Sequence, residues 1–327
     1  MRTVLLDQGA MATSVSPEIP DDLDFSRLAA VLPEWQAYAA TADTQMVERI
    51  ANATVIITNK VRIDDDIMRN TPQLRLICIS ATGTNHVDLD AARRRGIMVC
   101  NVPGYATASV AQHVFALILA LSTRLPDYQQ ALRAGGWQNS RQFCLLDYPI
   151  REIAGKTLGI VGYGVLGQAV ARLAEAFGMR VMVAQYKQES GAPVTMECLP
   201  LRDLLSQVDI LSLHCPLTPQ TRGLIGAAEL ALMRPDALLI NTARGGIVDE
   251  NALVVALCQG KLGGAGVDVL TQEPPVHGNP LLDTTIPRLI VTPHIAWASR
   301  EARQRLVDEV ATNIQAFLRG EARHRVA

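Results

Sequence analysis

The chain has 327 residues, of which 49% are hydrophobic and 19% charged, so it can bury a large core and is long enough for two domains. Its formal net charge of −2 and isoelectric point near 6.3 provide no long-range field that would attract nucleic acid or an anionic membrane. Composition therefore favours a globular protein, and neither nucleic acid nor a membrane is an expected partner.

Short β-branched runs alternate with helical segments along almost the whole chain, which predicts parallel sheets covered by helices. Four such runs in the first part are predicted strands: Thr3 to Leu6 and the runs that end at Thr58, Ser80 and Asn101. The segments between them have helical spacing and end in Gly or Asn. We therefore expect an α/β domain in this first part.

One long helix is predicted from about Tyr105 to Leu121, with apolar residues on nearly every side, which is typical of a helix buried between other elements. The next segment, "DYQQALRAGGWQ", is expected to continue as an exposed arm. Trp137 of this arm and the nearby Phe143 either pack on another subunit or cover their own domain. The residues alone leave both interpretations open.

Six further runs begin at Thr157 and alternate with helices or turns, as in a doubly wound dinucleotide-binding fold. They are "TLGIVG", "RVMVAQ", "DILSLH", "ALLINT", "GGAGVDV" and "LIVTPH". A last helix is predicted to begin at its cap Ser299 and to end at Gly320. Because this helix has no strand of its own, we expect it to pack on the first domain.

A glycine-rich turn follows the first of these six runs. Gly162, Gly164 and Gly167 have the spacing that lets a chain turn tightly, approach a pyrophosphate and pack a helix closely on its strand. The amino end of the following helix then offers N–H donors and a partial positive charge to the phosphates. Strand, spacing and helix together favour dinucleotide binding over a merely structural turn.

The end of the next strand carries Gln185, where such folds usually place a carboxylate for the adenine ribose. A neutral amide can still bond a ribose hydroxyl but no longer repels a 2′-phosphate, and Lys187 either attracts that phosphate or is a solvated loop residue. The sequence therefore predicts NAD(H) or NADP(H) as cofactor, with NADPH accepted at least comparably to NADH.

Three segments after later strands carry residues suited to the reduction of a 2-keto acid: "NTARGGIVDE", "GVDVLTQEPP" and "TPHIAWAS". Ligands of open α/β sheets bind beyond the carboxyl ends of the strands, so these segments can converge. We expect His294 to protonate the carbonyl oxygen, Glu273 to stabilise its imidazolium form and Arg244 to hold the substrate carboxylate. Each residue alone could equally be structural or solvated, but their order after a nucleotide turn favours catalysis.

The six cysteines show no CxxC or zinc-like spacing, and most lie in apolar runs, which predicts reduced core thiols of a cytoplasmic protein and no metal site. The amino-terminal "MRTVLLD" leads straight into a strand pattern, so no export signal is expected.

Five ordered segments resemble successive signatures of the D-isomer-specific 2-hydroxyacid dehydrogenases: "GYGVLGQAVA", "HCPLTPQTRGLI", "NTARGGIVDE", "GAGVDVLTQEPP" and "TPHIAWAS". The front of the chain, "ICISATGTNHVDLDAARRRGIMVCNVPGY", is also similar to that family. Within it, the chain looks most like the bacterial glycerate dehydrogenases, also called hydroxypyruvate reductases. The resemblance covers nearly the whole chain.

The resemblance implies two doubly wound, Rossmann-like α/β domains, with the cofactor domain inserted into a flavodoxin-like substrate domain. The substrate domain would comprise residues 1–104 and 297–327, and the cofactor domain residues 105–296, with a dimerisation helix and arm at about 105–150. Arg244, Glu273 and His294 match the catalytic residues of the family. Its members typically form dimers, so a homodimer is expected.

The resemblance also implies binding residues. The backbone around Thr82, Gly83 and Thr84 would hold the substrate carboxylate together with Arg244. The residues expected at the cofactor are Ser109, Gly162, Gly164, Val165, Leu166, Gly167, Gln185, Lys187, Pro216, Thr242, Ala243, Asp268 and His294. Gln185 departs from the common acid of the family, and Gln112 replaces a frequent Glu.

The leading hypothesis is an NAD(P)H-dependent reductase of hydroxypyruvate or glyoxylate that yields D-glycerate or glycolate. A broad-specificity D-2-hydroxyacid dehydrogenase is the second. A cofactor-sensing, corepressor-like binding protein is the third, and the chain offers no extended disordered tail to favour it.

Overall fold

The computed structural model describes residues 1–11, 22–32, 34–185 and 198–327. The chain divides into two units: unit 1 contains Met1–Ala106 and Ala298–Ala327, and unit 2 contains Thr107–Trp297. Unit 2 is therefore a continuous insertion between the two segments of unit 1. The first boundary lies after residue 106, where the sequence predicted one after residue 104. The second lies after residue 297, where one after residue 296 was predicted.

The described ranges contain twelve strands, all short and mostly buried. They are β1 (Thr3–Leu5), β2 (Trp35–Ala37), β3 (Val55–Thr58), β4 (Leu76–Ile79), β5 (Met98–Cys100), β6 (Thr157–Val161), β7 (Arg180–Ala184), β8 (Cys198–Leu199), β9 (Ile210–Leu213), β10 (Leu238–Asn241), β11 (Gly264–Val267) and β12 (Leu289–Val291).

Eleven α-helices accompany these strands in the described ranges. They are α1 (Ser26–Val31), α2 (Met46–Ile50), α3 (Asp65–Arg69), α4 (Leu89–Arg95), α5 (Thr107–Ser122), α6 (Leu125–Arg133), α7 (Val165–Ala176), α8 (Leu201–Leu205), α9 (Ala227–Leu230), α10 (Glu250–Cys258) and α11 (Arg300–Leu318). Short 3₁₀ helices occupy Gln8–Ala10, Asp43–Gln45 and Pro280–Leu282.

Unit 1 contains a five-stranded parallel sheet in the order β2-β1-β3-β4-β5, which is the flavodoxin-like order. Its central strands are fully buried, as Val4, Ile56 and Ile77 show. The last helix, α11, packs against α1 and β4 of this unit. The hydroxyl of Ser299 caps it by accepting a hydrogen bond from the Ala302 N–H.

Unit 2 contains a seven-stranded parallel sheet in the order β12-β11-β10-β9-β6-β7-β8. Every pairing is parallel, and the β6, β9 and β10 strands at its centre are almost wholly buried. The order reverses between β6 and β9, because the chain runs outward through β7 and β8 and then returns. Both sheets confirm the predicted α/β class with two doubly wound folds.

Two edge strands were not predicted. The four runs expected in the first sheet are present, but β2 adds a fifth strand, and β8 adds a seventh to the second sheet. Both are only two or three residues long and partly exposed, so they lack the apolar run that identifies a buried strand.

The prediction of core thiols is wrong for two cysteines. Cys78, Cys100 and Cys215 are buried and Cys144 is half-buried, but Cys198 and Cys258 are exposed. Cys198 lies on the edge strand β8 and Cys258 is the last residue of α10, so an apolar neighbourhood in sequence does not bury either thiol. All six cysteines are free.

The apolar helix α5 is less enclosed than its sequence indicates. Most of its side chains are buried, but Ala108, Gln112 and Ala116 form one exposed stripe along the helix. No single helix in the described ranges is long and apolar enough to cross a membrane; α5 and α6 pass that test only as a pair bent by 59°.

Candidate active site

The crevice at the reversal of the unit 2 sheet is the candidate ligand site. The strands β6 and β9 are neighbours there, and the chain continues from β6 to β7 on one side and from β9 to β10 on the other. Gly162 follows β6, whereas Pro216 lies just beyond β9 and is exposed. The sheet therefore brings the glycine turn and Pro216 to one edge.

The three glycines of the turn meet different surroundings. Gly162 has a φ of 97°, and a Cβ there would lie 2.6 Å from the Cys215 nitrogen. A Cβ on Gly167 would overlap the carbonyl oxygen of Gly162, so this glycine lets α7 pack closely on β6. Gly164, by contrast, faces open space: within the described ranges no atom lies within 4 Å of a Cβ built on it. Packing inside the protein explains the first and third glycines but not Gly164.

The open space at Gly164 fits a dinucleotide. Helix α7 begins next to it at Val165, and Gly164 at the cap has no side chain to engage the first N–H groups of the helix. Val165 and Leu166 supply these N–H groups. Thr242, just after β10, has a buried hydroxyl with no hydrogen-bond partner in the described ranges, and Ala243 follows it. A pyrophosphate at α7 would use the free donors, so the residues present fit the predicted cofactor.

Gln185 lies at the carboxyl end of β7, next to the glycine turn of β6. Its backbone N–H donates to the carbonyl of Leu199 at 2.6 Å, and the residue is exposed. The neutral amide thus occupies the strand end where the ribose-binding acid was expected. Lys187 lies outside the described residues.

His294 and Glu273 form a direct contact at the same edge of the sheet. His294 Nδ1 lies 2.6 Å from Glu273 Oε2, and the other carboxylate oxygen accepts a 2.9 Å hydrogen bond from the Leu270 N–H. Both side chains are roughly a quarter to a third exposed. Because a carboxylate accepts only, Nδ1 carries a proton that it donates to Glu273, and Nε2 is left for another partner.

The backbone beneath His294 is in an unusual conformation. Its φ of 55° is left-handed, which costs a non-glycine residue about 1 kcal/mol or more. Its N–H donates to the Asp268 carbonyl at 2.8 Å, and its own carbonyl accepts the Trp297 indole N–H at 2.9 Å. These contacts from outside the residue maintain the strained geometry.

Arg244 is half-buried after β10 and has no ion pair in the described ranges. One terminal nitrogen donates to the Ala243 carbonyl at 2.7 Å, and the Asn241 side chain bonds both the Ala243 N–H and the Arg244 carbonyl. These hydrogen bonds hold the backbone at Arg244 in place, while most N–H donors of its guanidinium remain available to an anion.

Two residues expected at the cofactor, Ser109 and Asp268, contact the loop that carries His294. The Asp268 carboxylate is 1% exposed and accepts hydrogen bonds from the Thr292 hydroxyl and from the N–H groups of Ile295 and Ala296. The Ser109 hydroxyl donates to the Ala296 carbonyl at 2.7 Å. Both side chains shape the site through this loop.

The sequence patterns did not identify His113 and Thr292 as site residues. His113 Nε2 lies 3.0 Å from the Thr292 hydroxyl, although the two residues are 179 positions apart. The only local signal is that His113 lies four residues after Ser109 and thus on the same helix face.

In unit 1, the segment of residues 82–84 follows strand β4. The Thr82 hydroxyl donates to the Val102 carbonyl at 2.9 Å, and Asn101 donates its side-chain N–H to the Thr82 carbonyl. The N–H groups of Gly83 and Thr84 have no hydrogen-bond partner within the described ranges. They form a small set of free donors.

Within the described ranges, no group of three or more His, Cys, Asp or Glu residues is arranged to hold a metal ion.

Sequence comparison identifies relatives over most of the chain. Residues 115–296 match the family model described as D-isomer specific 2-hydroxyacid dehydrogenase, NAD binding domain. A glycerate dehydrogenase of Methylorubrum extorquens is 46% identical over 289 residues, which are 88% of this chain and 90% of the relative. A hydroxypyruvate reductase of Blautia hydrogenotrophica is 39% identical over 92% of this chain and 94% of the relative.

A solved structure matches the fold over the whole chain. It is an NADPH-dependent glyoxylate/hydroxypyruvate reductase of Sinorhizobium meliloti in complex with NADP and malonate. Its TM-score is 0.79 at 30% sequence identity, and the match covers 100% of this chain and 96% of the other.

Proposed function

Because the chain belongs to the D-isomer-specific 2-hydroxyacid dehydrogenase family, we propose that it reduces hydroxypyruvate and glyoxylate with NAD(P)H. The products are D-glycerate and glycolate, and the reaction is reversible. The observation that carries this proposal is the 2.6 Å contact between His294 Nδ1 and Glu273 Oε2 in the unit that holds the dinucleotide turn.

The contact supports one nitrogen of His294 as the proton donor. When bound, a nicotinamide would supply the hydride for the carbonyl carbon, and the carbonyl oxygen would then require a proton. Since Nδ1 of His294 is committed to Glu273, Nε2 is the atom that delivers the proton. Glu273 orients the imidazole through this bond, and the Leu270 N–H, which donates to the other carboxylate oxygen, keeps Glu273 in place.

Arg244 is the proposed carboxylate anchor, because its guanidinium is half-buried and has no ion pair in the described ranges. A planar guanidinium can bind a carboxylate through two parallel hydrogen bonds and at the same time polarise the neighbouring carbonyl. In unit 1, the free N–H groups of Gly83 and Thr84, with Thr82, are a second proposed carboxylate contact.

The proposed cofactor contacts follow the crevice. The N–H groups of Val165, Leu166 and Gly167 would hold the pyrophosphate, with Gly164 leaving room for it. Gln185 would bond the adenine ribose, and Lys187 would attract a 2′-phosphate. The remaining proposed contacts are Gly162, Pro216, Thr242, Ala243 and His294, with Ser109 and Asp268 acting through the loop that they hold.

A cytoplasmic homodimer is the proposed physiological form. The segment from Leu125 to Ile150 exposes six large hydrophobic side chains, and Phe143 at 89% and Leu146 at 79% are the most exposed. Such a concentration of apolar surface is typical of an interface. The six free cysteines, two of them exposed, are consistent with a reducing compartment.

The test is a panel of 2-keto acids, each assayed with NADH and with NADPH. We expect the highest kcat/KM with hydroxypyruvate or glyoxylate and a loss of turnover in the matched variant His294→Gln. A preference for pyruvate or phenylpyruvate would instead indicate a broad D-2-hydroxyacid dehydrogenase. Tight cofactor binding without turnover of any keto acid would contradict the proposal and favour a corepressor-like protein.

A further inference from the structure

Helix α5 reaches the segment Thr292–Trp297, here called the histidine loop, through two side chains one turn apart. The Ser109 hydroxyl donates to the Ala296 carbonyl at 2.7 Å, and His113 Nε2 lies 3.0 Å from the Thr292 hydroxyl. Residues four apart share one face of a helix. A single helix face therefore contacts the histidine loop on both sides of His294.

The direction of the hydrogen bonds between these groups can be deduced. The Thr292 hydroxyl has one proton, which it donates to the carboxylate oxygen Oδ1 of Asp268 at 2.5 Å. The hydroxyl therefore donates to Asp268 and must accept from His113. Nε2 of His113 consequently carries a proton, which specifies the tautomer of a neutral ring.

The same carboxylate holds the backbone around His294. Asp268 accepts the N–H groups of Ile295 and Ala296 at 2.9 Å each, and its carbonyl accepts the His294 N–H. Asp268 is 1% exposed, so water contributes little to satisfying its charge. The chain of contacts from His113 through Thr292 to Asp268 thus ends at the left-handed backbone of His294.

Packing keeps the starting point of this chain in place. Helix α5 lies against β10 and β11, and a Cβ on Gly266 of β11 would come within 3.0 Å of Leu117 Cβ on the helix. Asp268 immediately follows β11, so the helix and the carboxylate share one rigid support. His113 therefore approaches the histidine loop from a helix that is packed on the sheet.

We infer that His113 is a positioning residue: through Thr292 and Asp268 it holds the histidine loop so that His294 Nε2 is correctly aimed. This inference rests on the proposed role of His294 as acid. A donor at position 113 is the essential feature, because it leaves the Thr292 proton free to bond Asp268. Misplacement of a reacting group by about 1 Å can lower the rate up to about a hundredfold. Loss of the contact between His113 and Thr292 should therefore have a measurable effect on kcat.

The experiment compares paired variants of the full chain. His113→Leu removes the donor and His113→Gln keeps one; Thr292→Val removes the hydroxyl and Thr292→Ser keeps it. We expect kcat for hydroxypyruvate to fall about tenfold in His113→Leu and in Thr292→Val, with KM changed less than about twofold. The variants that keep the polar group, His113→Gln and Thr292→Ser, should recover kcat. Both residues act through the same series of hydrogen bonds. The double variant His113→Leu, Thr292→Val should therefore have a kcat no lower than that of the slower single variant.

A second readout does not depend on turnover. In ¹⁵N-histidine-labelled protein without cofactor, the imidazole nitrogen shifts should identify His113 as the Nε2-protonated tautomer, with its signal assigned by its loss in His113→Gln. A proton on Nδ1 alone would overturn the inference. Thr123→Val is the matched control, since it removes a hydroxyl bond to the Leu119 carbonyl at the end of α5, away from the loop.

The outcomes separate this inference from the proposed function. Full kcat in His113→Leu, alongside inactive His294→Gln, would overturn the role of His113 and leave the function intact. An equal loss of kcat in Thr123→Val, or a failure of Gln to recover activity, would also overturn it, because general destabilisation would then explain the effect. A wild type that turns over no keto acid would contradict the function, while the tautomer measurement would still decide the bonding of His113.

Discussion

At the scale of single residues, the imidazole of His294 has one nitrogen bonded to Glu273 and the other available for proton transfer. We predict that His294→Gln lowers kcat about 10² to 10⁴-fold, because general acid catalysis typically contributes that much. The dissociation constant of NADH, measured by fluorescence, should change little, since the glycine turn lies on another strand. Near wild-type turnover at neutral pH would show that another group is the acid.

Gln185 differs in chemistry from the carboxylate that such folds usually place at this strand end. At the end of β7 it neither repels a 2′-phosphate nor bonds the ribose as strongly as a carboxylate. We predict that Gln185→Asp shifts the ratio of kcat/KM for NADH over NADPH upward by about tenfold or more, which corresponds to about 1.4 kcal/mol.

Lys187→Ala provides the companion measurement and should weaken NADPH selectively. If the wild type were already strongly selective for NADH, and Gln185→Asp left the ratio unchanged, other residues would have to recognise the ribose.

At the scale of elements, the connection from β6 to α7 contains two glycines with different roles: Gly164 leaves space for a ligand, and Gly167 allows close packing. We predict that Gly164→Ala leaves the unfolding free energy within about 0.5 kcal/mol of wild type, because its Cβ points into open space. Cofactor affinity should fall at least about tenfold, since the new methyl occupies the place of the pyrophosphate.

Gly167→Ala is the contrasting variant. Its Cβ would overlap the Gly162 carbonyl, so the helix must move away from the strand at a cost of about 1 to 3 kcal/mol in stability. Urea unfolding and cofactor titration of both variants check the pair. A destabilised Gly164→Ala that still bound cofactor normally would contradict the assignment of the open space.

A half-buried histidine follows β9, and desolvation lowers the pKa of His214 to about 4 from an ordinary value of 6.5. Its Nε2 lies 2.8 Å from the Ser212 hydroxyl. The folded state keeps His214 neutral while the unfolded chain takes up a proton, so its stabilisation is complete above about pH 6.5 and is lost as the pH falls towards 4.

We predict that wild type loses about 2 kcal/mol more unfolding free energy than His214→Gln between about pH 7.5 and about pH 5. Gln retains a donor for Ser212 but does not titrate. Urea unfolding followed by circular dichroism at both pH values provides the measurement, and parallel losses in the two proteins would show that His214 is not responsible.

At the scale of the whole molecule, the exposed arm from Leu125 to Ile150 determines the expected assembly. Its conformation is maintained internally, since the Tyr128 hydroxyl donates to the Tyr148 carbonyl and the Trp137 indole donates to the Phe143 carbonyl. The arm is therefore an ordered apolar surface available to a second copy.

We predict that the double variant Phe143→Asp, Leu146→Asp converts a dimer into a monomer, measured by light scattering, because two charges in an apolar interface remain desolvated and unpaired. Val255→Asp is the control, since it adds a charge at an exposed apolar residue of α10, outside the arm. A monomeric wild type, or dissociation of the control as well, would refute the assignment of the arm as the interface.

Sequence alone determined the features that depend on near neighbours along the chain. The alternation of buried strands with helices, the glycine turn with its following helix and the cap at Ser299 all appear where the pattern predicts them. These features arise from periodicity, backbone freedom and local hydrogen bonding, which act over a few residues. The edge strands β2 and β8 lacked that local signal and were missed.

Only the tertiary structure decided which distant groups meet. Glu273 and His294 are 21 residues apart, and His113 and Thr292 are 179 residues apart, yet each pair is in hydrogen-bonding distance. The burial of Asp268 beneath the histidine loop and the exposure of Cys198 and Cys258 were likewise not readable from their neighbours. Such contacts depend on strand order and on how helix faces pack, and these are properties of the folded chain as a whole.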